Sequence, residues 1–321
     1  MINAGYDCTD EFFSIHSPNA IRLLDDYYIG DLDTDSIGDA DEDETKLVDK
    51  NGNKLALDPR KKISLELTKK TIVSRDSFLL EFALPTPEHV LGLPTGKHVF
   101  VSATIDDETV IRRYTPVTSN HDVGRVEFLI KAYQPCADFP NGGKMSRYLD
   151  DLKVGDSLDV RGPVGEFEYL QNGQISVMGQ TKQVKCLNMI AGGTGITPMV
   201  QIIAEILRNH EDETKVSLVY ACREEGDLLM RKTIEEWAWR HSRRFRVRFV
   251  LSKKWPLFWF HSTGHINATI LKNHLFDAPL DDSSTSSSVF NLMCGPPLML
   301  QQCCRPHLID LGHASQNIFA F

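Results

Sequence analysis

One glycine-rich turn constrains this chain more than any other feature. Ile190-Ala191-Gly192-Gly193-Thr194-Gly195-Ile196-Thr197-Pro198 follows an apolar run and precedes a helical pattern with proline in its first turn. A strand, a glycine turn and a helix start are what a nucleotide site in an open α/β sheet requires. Glycine lets the backbone come close to a phosphate, and free amides at the helix start favour an anion. The spacing is not a regular G-x-G-x-x-G. No Gly-Lys-Ser/Thr follows, so it is not a Walker loop. A tight packing turn would look the same in isolation. The rhythm around it decides the fold class. Strand patterns at Cys186–Ile190, Val216–Ala221, Arg246–Leu251 and Phe290–Met293 alternate with helical stretches near Pro198–Leu207, Leu228–Trp239 and Asn267–Leu275. Alternation of this kind over 185–321 predicts a parallel sheet with helices on both faces. Asp281–Ser288 reads as a polar loop.

Residues 60–172 follow a different rhythm. Ile63, Leu65 and Leu67 alternate with Ser64, Glu66 and Thr68, the period of a half-buried strand. Phe78–Leu84, Val99–Thr104, Val110–Thr115, Val126–Tyr133 and Ser157–Val160 are further strand candidates. Glycine and proline separate them, which predicts an antiparallel barrel or sandwich. Met145, Tyr148, Leu149 and Leu152 are spaced as one amphipathic helix.

Composition excludes several classes. With 41% apolar and 25% charged residues in 321, the chain is neither disordered nor fibrous, and it is long enough for two cores. No run of 18 apolar residues predicts a membrane span, and the start lacks the pattern of a signal peptide. Seven cysteines without a C-x-x-C pair argue against a disulfide framework or zinc ribbon and fit a reducing, cytoplasmic setting. Residues 1–44 carry thirteen acids and one base, a net of −12, which leaves +3 for the rest of a chain whose total is −9. No basic footprint for nucleic acid is present. The acidic run Asp31–Glu44 reads as a self-repelling tether. Ser17-Pro18 starts a short helix through Ile21, Leu24 and Tyr28. The expected divisions are 1–32, a small helical piece; 33–59, an acidic linker; 60–172, the β domain; 173–184, a connection; and 185–321, the α/β domain.

Three more motifs carry chemistry. In Arg112-Arg113-Tyr114-Thr115-Pro116-Val117-Thr118 strand alternation puts Arg112 and Tyr114 on one face, a forked donor for phosphate beside a flat stacking surface. An arginine-rich edge strand is the plainer reading. Asn141-Gly142-Gly143-Lys144-Met145-Ser146 opens the amphipathic helix and offers free amides and a hydroxyl to an anion. Cys294-Gly295-Pro296-Pro297-Leu298-Met299 sits at a strand's carboxyl end, where open α/β sheets bind ligands. With no histidine arranged as its partner, Cys294 is not expected to be a covalent nucleophile.

The four motifs in this order, together with Leu93-Pro94-Thr95-Gly96-Lys97-His98-Val99 and the closing Phe319-Ala320-Phe321, resemble the ferredoxin–NADP reductase superfamily in its cytochrome b5 reductase branch. The resemblance covers about residues 60–321. It implies a six-stranded Greek-key β-barrel for FAD followed by a Rossmann-like parallel α/β domain for NADH. Asn3–Phe12, Ile15-His16-Ser17 and the helix to Gly30 resemble the second half of a cytochrome b5 haem domain. A haem segment ahead of such a reductase is similar to the carboxyl-terminal part of assimilatory nitrate reductases. No His-Pro-Gly-Gly occurs. Half the haem pocket is therefore missing, and His16, the one candidate for haem iron, is expected to be a remnant. Haem b is not expected to be held, and the chain alone is not expected to reduce nitrate.

By the same resemblance Arg112 holds the FAD diphosphate, Tyr114 packs on the flavin, and Thr115 hydrogen-bonds near its reactive edge. Lys131, Tyr133, Phe139, Gly142, Gly143, Lys144, Met145, Ser146 and Thr197 complete the FAD set. Gly193, Thr194, Gly195, Pro198, Gly295, Pro296 and Met299 line the NADH site, and Cys294 orients the nicotinamide. Thr115 and Cys294 are the catalytic candidates. Asp227 matches the acid that accepts from the adenosine ribose and so favours NADH over NADPH; Arg223 and Arg231 lie close enough to favour the phosphate instead. Thr118 stands where the family usually has serine, and Arg113 replaces a small residue. Lys253–His261 departs from the family. The implied function is hydride uptake from NADH and single-electron delivery to a haem acceptor. The implied partners are a cytochrome b5-type haem domain or the molybdenum-containing portion of nitrate reductase, with homodimerisation through parts not present here. Two alternatives stand beside it: a free-standing NADH–cytochrome b5 reductase, and a non-catalytic docking module with a degenerate site.

Overall fold

The structure, a computed structural model, describes residues 48–49, 52–59, 61–137, 139–278 and 289–321. His16, the helix after Ser17, the acidic run Asp31–Glu44 and the polar loop Asp281–Ser288 lie outside the described residues.

The first domain is built from β1 (Lys54–Leu55), β2 (Ile63–Ser74), β3 (Ser77–Ala83), β4 (His89–Val90), β5 (His98–Ile105), β6 (Glu108–Tyr114), β7 (Arg125–Lys131), helix α1 (Lys144–Asp151) and β8 (Ser157–Val164). Six of the strands form one antiparallel sheet in the order β6-β5-β8-β2-β3-β7. Strand β2 is long enough to serve both halves. Ile63–Glu66 pair with β8, and Leu67–Ser74 pair with β3. The register shifts between Leu67 and Lys69. An extra residue there bends the strand and curls the sheet. Leu65, Leu67, Leu80, Phe82, Val99, Val101, Val126 and Phe128 fill the interior. Helix α1 packs against β5, β6 and β7, closing the gap between the two edge strands with Met145 and Leu149.

Two features differ from the sequence reading. The end of the segment expected to be a tether is docked. Strand β1 pairs in parallel with β4, and Ala56 and Leu57 are buried in the barrel cluster. Apolar Leu55, Ala56 and Leu57 contribute more by burial than a chain gains by staying solvated. Residues 173–184, expected as a connection, form strands. β9 (Phe167–Gln171), β10 (Gln174–Val177) and β11 (Gln180–Gln183) make a three-stranded antiparallel sheet. Its first turn is Asn172-Gly173, both with positive φ, a two-residue hairpin signal legible in the sequence.

The second domain is a parallel sheet in the order β15-β14-β13-β12-β16-β17. Its strands are β12 (Cys186–Gly192), β13 (Lys215–Cys222), β14 (Phe245–Leu251), β15 (Ser262–Thr263), β16 (Val289–Cys294) and β17 (Ile318–Ala320). The central strand is buried on both sides. Leu187, Met189 and Ala191 face a cluster with α2 (Ile196–Arg208), and Ile190 joins α4 (Ala268–His274) and the carboxyl-terminal helix through Leu271, Leu300 and Leu308. That two-sided burial is what a parallel strand needs. Helix α3 (Arg231–Arg240) begins later than its pattern suggested. Met230 takes a left-handed conformation (φ 55°), and Glu225–Asp227 form a separate tight turn.

The domains are joined by one apolar cluster. Leu79, Val117 and Leu129 of the barrel belong with Met199, Val200 and Ile203 of α2. Phe167 stacks with Phe290, Phe319 and Phe321. Polar ties flank it. Gln201 Oε1 accepts from the Gly96 amide at 2.6 Å, and the Tyr169 hydroxyl donates to buried Asp212 at 2.5 Å and accepts from the Gly173 amide at 2.9 Å. Replacing Tyr169 with Phe removes that donor from a buried carboxylate. Tyr169→Phe is expected to cost about 1–3 kcal/mol, read as a lower denaturation midpoint with unchanged m-value.

Candidate active site

Turns of the second domain meet one another, and the barrel segment that ends β7 reaches them. On the second-domain side the chain leaves β12 at Gly192 and turns through Gly193–Gly195 into α2. This turn presses on the one after β16. A Cβ on Gly195 would lie 2.3 Å from the Cys294 carbonyl oxygen, so no larger residue fits. Gly193, by contrast, faces open space at φ 54°. The expected residues Gly193, Thr194, Gly195, Cys294, Gly295 and Pro296 are thus brought together, and Met299 reaches Gly192 and Gly295. Thr197 turns back to its own turn, its hydroxyl donating to the Thr194 carbonyl at 3.2 Å. Pro198 is buried at the start of α2.

On the barrel side the residues after β7 meet the start of α1. Ser146 Oγ accepts from the Tyr133 amide and donates to the Gly143 carbonyl, both at 3.1 Å. A Cβ on Gly143 would strike that hydroxyl at 2.3 Å, and Gly142 holds φ 60°. The serine is therefore spent on shaping the turn. Lys144 is also engaged, its ammonium 2.7 Å from Glu108 and 3.7 Å from Asp106. What this turn still offers a ligand is backbone. Gly143 caps the helix with no side chain, and the first amides of a helix have no partner within it. On β6, the Arg112 guanidinium donates to the Ile111 carbonyl at 2.7 Å and meets no carboxylate among the described residues. Tyr114 packs edge-on against Phe128, and its burial raises the hydroxyl pKa. Arg113 is exposed and faces the other way, opposite Phe100. Burial first, and Arg113 second, push the pKa of neighbouring His98 down to about 4. Phe139 is largely exposed, and the Thr118 hydroxyl accepts from the Glu127 amide at 3.1 Å. A helix start without a side-chain cap and a guanidinium that meets no carboxylate on one small barrel suit a bound diphosphate, as FAD would supply.

The two sides are tied across the domain boundary at two points. The Tyr133 and Thr194 hydroxyls are 3.2 Å apart. Lys131 Nζ lies 2.6 Å from Asp227 Oδ1 and 3.2 Å from Asp76 Oδ2. Burial works against the Lys131 charge, but the two carboxylates outweigh it and its pKa is raised. The sequence reading gave Lys131 to the flavin and did not foresee that its ammonium also bridges the domains. Asp76 was not singled out at all. Only its place in the short Ser74–Ser77 turn, remote in sequence from Asp227, marks it. Arg231 is held by Glu225 and by Glu235 at 2.7 Å, so it is not free for a phosphate. The aromatic stretch 253–261 follows β14, with Leu257, Phe258 and Phe260 exposed.

A cavity of about 230 Å³ lies between the domains elsewhere, lined by Asn53, Thr95, Asn120, His121, Gln171 and Glu205 among others; it contains none of the expected site residues. Among the described residues no group of His, Cys, Asp and Glu is arranged to hold a metal, and no helix is long and apolar enough to cross a membrane.

A barrel followed by a parallel sheet, with glycine turns where the two domains meet, is the arrangement of a two-domain flavin- and nucleotide-binding oxidoreductase. A family model for the oxidoreductase FAD-binding domain matches residues 64–169, and one for the oxidoreductase NAD-binding domain matches 189–305. The chain is 41% identical over 327 residues to NADH nitrate reductase 1 of Phaseolus vulgaris, covering 99% of this chain and 36% of that protein. The figures for NADH nitrate reductase 1 of Arabidopsis thaliana are 40% over 330 residues, 98% and 35%. The chain thus spans about a third of the length of the curated relatives it matches. The solved cytochrome b5 reductase domain of Ulva prolifera nitrate reductase is 36% identical with a TM-score of 0.78, covering 83% of this chain and 99% of that one. The CS-b5R domains of human Ncb5or in the NAD⁺ form are 28% identical with a TM-score of 0.66. This chain belongs to the cytochrome b5 reductase family of FAD- and NAD-binding oxidoreductases, in the branch that forms the reductase part of nitrate reductases.

Burial pushes the Cys294 thiol up to about 12. It is therefore protonated at neutral pH and a poor nucleophile. At pH 8, iodoacetamide is expected to label exposed Cys136 well before Cys294, as mass spectrometry of the time course would record.

Proposed function

We propose that this chain takes hydride from NADH and passes electrons singly to a cytochrome b5-type haem acceptor, as the reductase part of a nitrate reductase. The pair of ties across the cleft, Tyr133 to Thr194 and Lys131 to Asp227, carries this reading. They hold the mouth of the nucleotide domain against the barrel strand that ends beside the diphosphate turn. A bound flavin supplies the conversion between a two-electron donor and a one-electron acceptor.

The protein's share is placement. Arg112 and the amides of Lys144, Met145 and Ser146 receive the FAD diphosphate. Tyr114 packs beside the ring system, and the Thr115 hydroxyl serves its reactive edge. Gly193, Thr194, Gly195 and Gly295 let the nucleotide backbone approach closely. Cys294, protonated and mostly buried, shapes the wall beside the nicotinamide and keeps water out. In hydride transfer such positioning contributes more than thiol reactivity. Asp227 receives the adenosine ribose, so NADH is the donor. The acceptor is a haem domain or the molybdenum-containing portion of the longer protein. A cytoplasmic setting fits the free thiols of Cys136, Cys186 and Cys222.

The purified chain is expected to show a flavin absorption spectrum that one equivalent of NADH bleaches without oxygen. A protein that stays colourless after FAD is supplied would sink the reading. Cys294→Ser is expected to lower NADH–ferricyanide turnover by about tenfold or more through lost positioning, with FAD retained. Arg112→Ala is expected to weaken FAD binding by about 1.5–3 kcal/mol, the contribution of a charge-assisted hydrogen bond, measured by fluorescence on FAD release.

A further inference from the structure

The charge cluster at the domain boundary is unbalanced. Lys131 is shared by two carboxylates, Asp227 on the nucleotide domain and Asp76 on the barrel. All three side chains are largely shielded, each about one-fifth exposed. Asp76 is fixed in the turn between β2 and β3. Its carbonyl accepts from the Ala132 amide at 2.7 Å, and its Oδ1 lies 3.3 Å from Ser77 Oγ and 3.4 Å from Ser74 Oγ. Asp227 is fixed as firmly. Its Oδ2 accepts from the Glu224 amide at 3.3 Å, and its carbonyl accepts from the Cys222 thiol at 3.3 Å. Two acids and one base leave a net charge of −1 in a narrow seam. Had Lys131 only Asp227 to pair with, the carboxylate meant for the ribose would be neutralised by its own partner.

We propose that Asp76, on the flavin domain, is a determinant of nucleotide choice: by sharing Lys131 it keeps Asp227 able to accept from a ribose 2′-hydroxyl and leaves the surplus negative charge that opposes a 2′-phosphate. The inference rests on the reading that the adenosine ribose lies at Asp227. Asp76 acts through Lys131, so it is a positioning residue. The cations nearby do not reverse the sign. Arg231 is held by Glu225 and Glu235, and Lys254 lies 4.0 Å from Glu224. Arg223, on the same turn, pairs with no carboxylate among the described residues.

The test compares ADP-ribose with 2′-phospho-ADP-ribose, which report on the adenosine end alone, by calorimetry on the full FAD-loaded chain. Asp76→Asn is expected to shift the affinity ratio about tenfold toward the phosphorylated ligand, as removal of one unit charge at short range would. Asp76→Glu restores the original ratio, and Asp76→Ser supplies a second neutral side chain if Asp76→Asn folds poorly. In steady state the change in the NADPH/NADH ratio falls on KM rather than kcat. A merely structural role would weaken both ligands alike and leave the ratio where it was. An unmoved ratio in the neutral variants, with a shifted ratio in Asp227→Asn, overturns the role of Asp76 and leaves the ribose at Asp227. An unmoved ratio in Asp227→Asn as well overturns both.

Discussion

The continuous apolar seam between barrel and sheet is the constraint on which the site depends. Leu79, Val117 and Leu129 are barrel residues that pack outward, and α2 supplies their complement. Each such side chain contributes roughly 1.5–3 kcal/mol when fully buried. The seam brings the two halves together, and neither the Arg112 face nor the Gly193 turn is a site alone. The polar ties at Gln201, Tyr169 and Lys131 then fix the register of the two halves. Hydride transfer tolerates little misplacement of its partners, so a rigid seam serves chemistry as much as stability.

Around the ligands most side chains support the backbone, and the backbone meets the anion. Ser146 is consumed by Tyr133 and Gly143, Thr197 by Thr194, and Lys144 by Glu108. What remains is a helix start, a glycine turn and a guanidinium that meets no carboxylate among the described residues. The nucleotide domain repeats this economy at Gly195, whose missing side chain lets two turns touch.

Much of this was legible in the sequence because period and punctuation are local signals. The alternation of Ile63, Leu65 and Leu67 located β2, and the apolar run before Gly192 located β12. The motif order separated the two domains. The rest depended on long-range pairing. β1 was hidden at the end of a segment read as a linker, and its role comes from β4, which no local pattern reveals. The β9–β11 sheet carried an Asn-Gly turn that was readable, but its strands are too short and polar to stand out. Lys131 was placed on the right strand, but its pairing with Asp227 was not foreseen, because strand periodicity says which way a side chain points and not what a second domain brings to meet it. Asp76 had no sequence signal beyond a turn.

The division of β2 between β3 and β8 bears on how the polypeptide emerges from the ribosome. The barrel cannot close until β8 has been synthesised, well after β2, so a nascent chain carries an unfinished sheet for some ninety residues' worth of elongation. Even then its outward apolar side, at Leu79 and Leu129, has no cover until α2 follows. A flavin half cut off before that helix would present this bare strip to solvent and self-associate. Dissecting such a reductase at its evident boundary therefore exposes the very surface that makes it one molecule.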